Sequence, residues 1–86
     1  MKLKREFITH DIGNESLLVP LGGAGWSGLV RGNGTLGAIL ALLKEETTEG
    51  EIVRAMAGRF DAPEDVIARD VGRALAELRK IGALEE

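Results

Sequence analysis

The sequence predicts an α+β fold in which three N-terminal antiparallel strands are followed by three helices. Residues that favour strands are concentrated in the first third of the 86-residue chain, and later apolar residues recur at intervals of three and four. Strand and helix patterns do not alternate, which excludes a parallel sheet built from crossover units. A chain of this length supports a single core, so we expect one domain over residues 1–86.

Three short extended runs make up the predicted sheet. The first runs from Glu6 to Ile12, and turn-forming residues separate it from the second, Leu17 to Leu21. The third, Trp26 to Arg31, follows a glycine-rich connection. Pro20 has no N–H to donate to a ladder, so we expect it near a strand end or at an unpaired edge position.

Helical spacing begins just after the third run. Asn33 or Thr35 is the expected N-cap of a first helix that ends near Glu46. Gly37 is a weak point inside this helix, because glycine has a low helix propensity. The apolar residues that set the spacing are Leu36, Ile39, Leu40 and Leu43.

Two capping motifs predict where the second and third helices begin. Thr48–Glu51 has the Thr-x-x-Glu form of a capping box, and Asp61–Glu64 repeats that form with a proline in the first turn. Gly82 suits the left-handed residue that ends the third helix. This order of elements is of the winged helix-turn-helix type. The apolar faces are Ile52, Val53, Met56 and Phe60 on the second helix, and Ile67, Val71, Ala74, Leu75, Leu78 and Ile81 on the third.

Composition argues against catalysis and against general affinity for polyanions. The chain has no cysteine and one histidine, His10, so neither a Cys–His pair nor a metal triad can be assembled. We therefore expect a protein that is not an enzyme and that holds no cofactor or metal. The net charge is −3, and the N-terminus lacks the apolar run of a signal peptide, so we expect a cytoplasmic protein with no membrane span.

One glycine motif could indicate a nucleotide site. Gly23–Gly28 matches the pattern G-x-G-x-x-G, which binds a pyrophosphate when its last glycine leads into a helix N-terminus. Here the following residues, Leu29–Gly34, have the character of a strand and a turn. We therefore interpret the motif as a connection between the second and third strands.

The third strand and the third helix offer two alternative working surfaces. If the strand lies at the sheet edge, its free N–H and C=O groups could take up a peptide as an added strand, or the edge could simply be short and twisted. Alternatively, Arg69, Arg73 and Lys80 could form the recognition face of a DNA-binding winged helix, although acidic residues interrupt that face. A dimer formed through the same edge is a third possibility.

A diffuse pattern along the chain carries a family resemblance. It consists of Gly28-Leu29-Val30-Arg31-Gly32-Asn33 before the first helix, Leu42–Thr48 leading to Ile52-Val53, then Phe60-Asp61, Asp70-Val71, Leu75, Leu78, Gly82 and Leu84. With these residues, positions 4–86 resemble the PqqD family (pyrroloquinoline quinone biosynthesis protein D), the stand-alone form of the RiPP recognition element. Gly32 departs from the family, which usually has an aliphatic residue there.

The resemblance implies a peptide-binding adaptor. Members of the family bind the leader of a ribosomally synthesised precursor peptide as an added strand and present it to a modifying enzyme, often a radical S-adenosylmethionine (radical SAM) protein. The resemblance leaves open whether the chain acts as a monomer or a homodimer. A DNA-binding winged helix usually has its wing hairpin after the third helix, whereas here only four residues follow Gly82. Carried over by position, the peptide-binding residues would be Trp26, Ser27, Gly28, Leu29, Val30, Arg31, Ala68, Arg69, Gly72, Arg73, Leu75 and Arg79.

Overall fold

The computed structural model describes residues 1–86 and confirms the predicted order of three antiparallel strands and three helices. Two further strands of two residues each, which the sequence analysis missed, pair with one another beside the main sheet. No helix is both long enough and apolar enough to cross a membrane. The elements are β1 Lys2–Leu3, β2 Phe7–Ile12, β3 Glu15–Pro20, β4 Val30–Gly32, α1 Gly34–Leu42, α2 Glu49–Arg59, α3 Glu64–Lys80 and β5 Leu84–Glu85.

The main sheet has the order β2-β3-β4, so β2 and β4 are its two edges. A two-residue loop joins β2 to β3, and its first residue, Gly13, has a φ of 59° that favours glycine. The N–H of Leu21 donates to the C=O of Glu6, which fixes the alternation of bonded and non-bonded pairs along the hairpin. Pro20 opposite Phe7 then falls at a non-bonded pair, where its missing N–H costs nothing.

The third strand is shorter than the sequence predicts. β4 contains only Val30–Gly32, so the expected strand from Trp26 to Leu29 is wrong. Gly25 and Gly28 have φ values of 77° and 146°, which turn the backbone out of a strand conformation. The Trp26 ring instead stacks against Phe7, with ring centroids 6.4 Å apart, and anchors this connection to the core.

Of the two residues predicted as N-cap of α1, Asn33 is the one that caps the helix. Its side-chain Oδ1 accepts from the N–H of Thr35 at 3.1 Å. The helix ends at Leu42 rather than near Glu46. The N-terminal segment accounts for the early end, since the N–H of Leu3 donates to the C=O of Leu43 at 2.9 Å. A carbonyl that a longer helix would use is thereby satisfied by β1.

The capping prediction holds for α2 and fails for α3. Thr48 Oγ1 accepts from the N–H of Glu51 at 3.2 Å, which is one half of the predicted capping box. The Glu51 carboxylate accepts from the Thr48 hydroxyl at 3.2 Å rather than from the Thr48 N–H. At α3, Pro63 occupies the N-cap position without a side-chain hydrogen bond, so the predicted cap by Asp61 is wrong. The C=O of Pro63 accepts the first helical hydrogen bonds, from the N–H groups of Val66 and Ile67, as the carbonyl of an N-cap residue does.

The end of α3 matches the predicted left-handed glycine. Gly82 has a φ of 74°, and the N–H of Ala83 donates back to the C=O of Leu78 at 2.9 Å. This turn directs the chain into β5, which pairs with β1. Of the predicted α3 stripe, Ile67, Val71, Leu75 and Leu78 are buried, while Ala74 and Ile81 are only half-buried.

Gly32, at the end of β4, allows α1 to pack directly on the sheet. A Cβ at this position would lie 2.6 Å from Leu36 Cβ and 2.9 Å from Leu36 Cγ, and it would overlap a terminal methyl of the same side chain. The Leu36 Cβ is fixed by the helix backbone, so it cannot move aside alone. The contact with Leu36 therefore leaves no room for a side chain at position 32.

We expect Gly32→Ala to lower the free energy of unfolding by about 1–3 kcal/mol, because the added methyl overpacks the contact with Leu36. Gly58→Ala is the matched control, since a Cβ at this α2 position meets nothing within 4 Å. The control should be neutral or more stable by about 1 kcal/mol. Urea unfolding of both variants gives the comparison, and equal stabilities would show that Gly32 is not required for packing.

Candidate functional site

A groove of about 420 Å³ lies between the edge strand β4, helix α1 and helix α3. The elements are brought together by the Gly32–Leu36 contact on one side and by the apolar stripe of α3 on the other. Its volume lies within the range of clefts that bind ligands. Its lining residues are Val30, Arg31, Asn33, Thr35, Leu36, Ile39, Asp70, Arg73, Ala74, Glu77, Leu78 and Ile81.

The strand beside the groove has free main-chain groups. In β4, Val30 lies opposite Leu18 and Gly32 lies opposite Ser16. The hairpin pattern directs the backbone groups of Ser16 and Leu18 toward β4, so they bond to Val30 and Gly32. The N–H and C=O of Arg31 therefore point away from the sheet, toward the open edge.

The floor of the groove is aliphatic. Ile39 from α1 and Leu78 from α3 are each 1% exposed and form its base. Ala74 and Ile81 are half-buried and line the α3 side, where Ala74 contributes only a methyl group. An apolar side chain placed here would be shielded from water on several sides.

Charged side chains lie along the rim. Asp70, Arg73 and Glu77 follow one another along α3 with alternating sign, and none of them forms an ion pair in the structure. On the strand side, Arg31 Nε lies 3.3 Å from Glu15 Oε2, and both side chains are exposed. The α3 rim therefore offers charges of both signs to a ligand.

Three of the residues predicted from the sequence line the groove: Val30, Arg31 and Arg73. Trp26, Ser27, Gly28 and Leu29 belong to the preceding connection, and none of them lines it. Ala68, Arg69 and Arg79 also lie outside it, and Arg79 Nε instead pairs with Glu86 at 3.1 Å.

The predicted flank of α3 is wrong at Leu75, which is 0% exposed and belongs to the core. Gly72 also faces another element, because a Cβ there would lie 3.5 Å from Glu49 Oε2 at the start of α2. Helix α2 thus packs near the side of α3 that the sequence suggested was open. The groove uses the other border of the apolar stripe, where Ala74 and Ile81 are spaced seven residues apart.

The sequence analysis missed most of the residues that line the groove. Leu36 and Ile39 were interpreted only as core residues of the first helix, and Ala74 and Ile81 only as core residues of the third. The sequence carried no separate signal for these residues, because the predicted stripe on α3 has the ordinary width of a helix that packs against a core.

Comparisons with known proteins agree with this architecture. Residues 15–84 match the family described as Coenzyme PQQ synthesis protein D (PqqD). A solved structure described as TbiB1 in complex with the TbiA(beta) leader peptide superposes with a TM-score of 0.81 at 24% identity, covering 99% of this chain and 95% of that one. No curated protein matches the chain. The structural likeness concerns the fold, whereas the family match spans most of the sequence, and the chain therefore belongs to the PqqD family.

Proposed function

We propose that this protein binds the leader segment of a ribosomally synthesised precursor peptide, which adds as a strand to β4 and places side chains in the groove. The observation that carries the proposal is the position of the free main-chain groups of Arg31 directly beside an apolar groove. Membership of the PqqD family supports it. The similar TbiB1 structure, which contains a leader peptide, is consistent with it.

The geometry accounts for how an extended peptide would be held. A strand added to β4 would run about 4.8 Å from it, which places the peptide between β4 and α3. Its main chain could pair with the N–H and C=O of Arg31, each hydrogen bond contributing about 0.5–1.5 kcal/mol net. Alternate side chains would point toward Ile39 and Leu78, and their burial would add about 25 cal/mol per Å².

The rim charges would then help to select the leader. Arg73 favours a carboxylate on the peptide, whereas Asp70 and Glu77 favour a cation on either side of it. Solvated ion pairs of this kind contribute only about 0.2–1 kcal/mol each, so they would set the register more than the affinity. Apolar anchors in the groove supply most of the binding in this proposal.

In this proposal the protein is a non-catalytic adaptor that acts in the cytoplasm. It would present the bound leader to a modifying enzyme, and the family resemblance suggests a radical SAM protein. The position of the groove beside the free edge of β4 supports a role in holding an extended peptide. Co-purification of the adaptor, the leader and the candidate enzyme would test the assembly.

A pair of substitutions at Arg31 tests strand addition. Arg31→Pro removes the outward N–H, and proline is tolerated at such an edge position because that N–H does not pair with β3. Arg31→Ala removes the same side chain and keeps the N–H. The ligands are synthetic leader segments of small precursor-like peptides that are encoded near this gene. We expect calorimetry to show that the Arg31→Pro variant binds them about tenfold more weakly than the Arg31→Ala variant does. Equal affinities would reject pairing at this N–H.

A second pair of substitutions tests the groove. Ala74→Phe should fill the space above Ile39 and Leu78 and weaken binding of the same leader segments by about tenfold or more. Ala76→Phe is the matched control, because Ala76 is exposed on α3 and does not line the groove. If fluorescence anisotropy gives equal losses for the two variants, the groove is not where the leader side chains bind.

A further inference from the structure

The opposite edge of the sheet carries a second cleft, beside the N-terminal half of β2. Its volume is about 350 Å³, and it lies away from β4, since β3 separates the two edges. Apolar and basic side chains share its lining. The lining residues are Leu3, Lys4, Arg5, Phe7, Ile8, Thr9 and Lys44.

The charge of this cleft is opposite to that of the whole chain. Lys4, Arg5 and Lys44 contribute three cations, and no carboxylate lines the cleft, although the net charge of the protein is −3. None of the three cations forms an ion pair. Glu6 and Glu85 line a neighbouring cleft together with Lys4 and Arg5, but neither comes within pairing distance.

The backbone along this edge is also free. Because Leu21 pairs with Glu6, the bonded positions of β2 are Ile8, His10 and Ile12, and the backbone groups of Thr9 point outward. The Ile8 side chain stands beside them and is 46% exposed. Unpaired main-chain groups, an exposed aliphatic side chain and unneutralised cations therefore meet at one place.

From this combination we infer that the β2 edge docks an extended acidic segment of a partner protein, in which carboxylates alternate with apolar side chains. The carboxylates would meet Lys4, Arg5 and Lys44, the apolar side chains would cover Ile8, and the main chain would pair with Thr9. The rim of the β4 groove has charges of both signs, so the two edges select different segments. This inference does not depend on leader binding at β4.

A short end-capped peptide of alternating valine and glutamate, labelled with a fluorophore, is the probe for this site. We expect it to bind the full chain more tightly than its valine–lysine counterpart, with affinity that falls as salt is raised. Amide shift changes should centre on Ile8, Thr9 and Lys44. The double variant Arg5→Glu with Lys44→Glu should bind about tenfold more weakly.

The control is the double variant Arg54→Glu with Lys80→Glu, which makes the same change in net charge at exposed positions outside the cleft. It should keep the affinity within about twofold, since screening limits distant charges. Three results would overturn the inference: equal binding of the two probes, equal losses in the two double variants, or shift changes confined to β4 and α3. The double variant could also self-associate while its affinity for the probe stays the same. That result would show that the cations only protect the edge from pairing with a second copy of the chain.

Discussion

The free edge of β4 depends on a single constraint, the hydrogen-bond alternation that begins where Leu21 pairs with Glu6. That alternation passes through the hairpin and decides that Val30 and Gly32 bond to β3 while Arg31 faces outward. A shift of one residue would turn the free groups inward and reverse every side chain of the strand. The hairpin register is therefore what gives the groove an edge to which a peptide can add.

Packing around Gly32 places an apolar groove beside this edge of the sheet. Because Gly32 has no Cβ, α1 lies close enough to β4 for Leu36 to line one side of the groove and for Ile39 to form part of its base. Helix α3 forms the other wall, and the turn at Gly82 fixes its end by directing the chain into β5. The same α3 surface carries Asp70 and Glu77, which would repel a phosphate backbone and disfavour the alternative of a DNA-recognition helix.

Local chemistry was enough to predict several features from the sequence. Thr48 and Gly82 were identified correctly, and Asn33 was one of two N-caps expected for α1, because a cap or a left-handed turn depends on the residue and its immediate neighbours. The end of α1 was not predictable in this way, since it depends on Leu3 arriving from the distant β1 segment. Asp61 failed as a cap because Pro63 took the N-cap position instead.

The difference between local and distant contacts also explains which residues of the groove could be predicted. Val30 and Arg31 line the groove, and the sequence placed both of them on a strand that could lie at the sheet edge. Leu75 was misplaced because periodicity gives the faces of a helix without saying which neighbour covers each of them. The position of α2 near Gly72, a tertiary fact, decides which border of the α3 stripe remains open.

Hydrogen exchange at single amides tests the central claim most directly, with the amide of Arg31 as the reporter. In the free protein this amide should exchange quickly, whereas those of Val30 and Gly32 should be protected by their bonds to β3. Saturation with a bound leader segment should slow exchange at Arg31 strongly and leave its two neighbours nearly unchanged. Unchanged exchange at Arg31 in the saturated complex would contradict strand addition on β4.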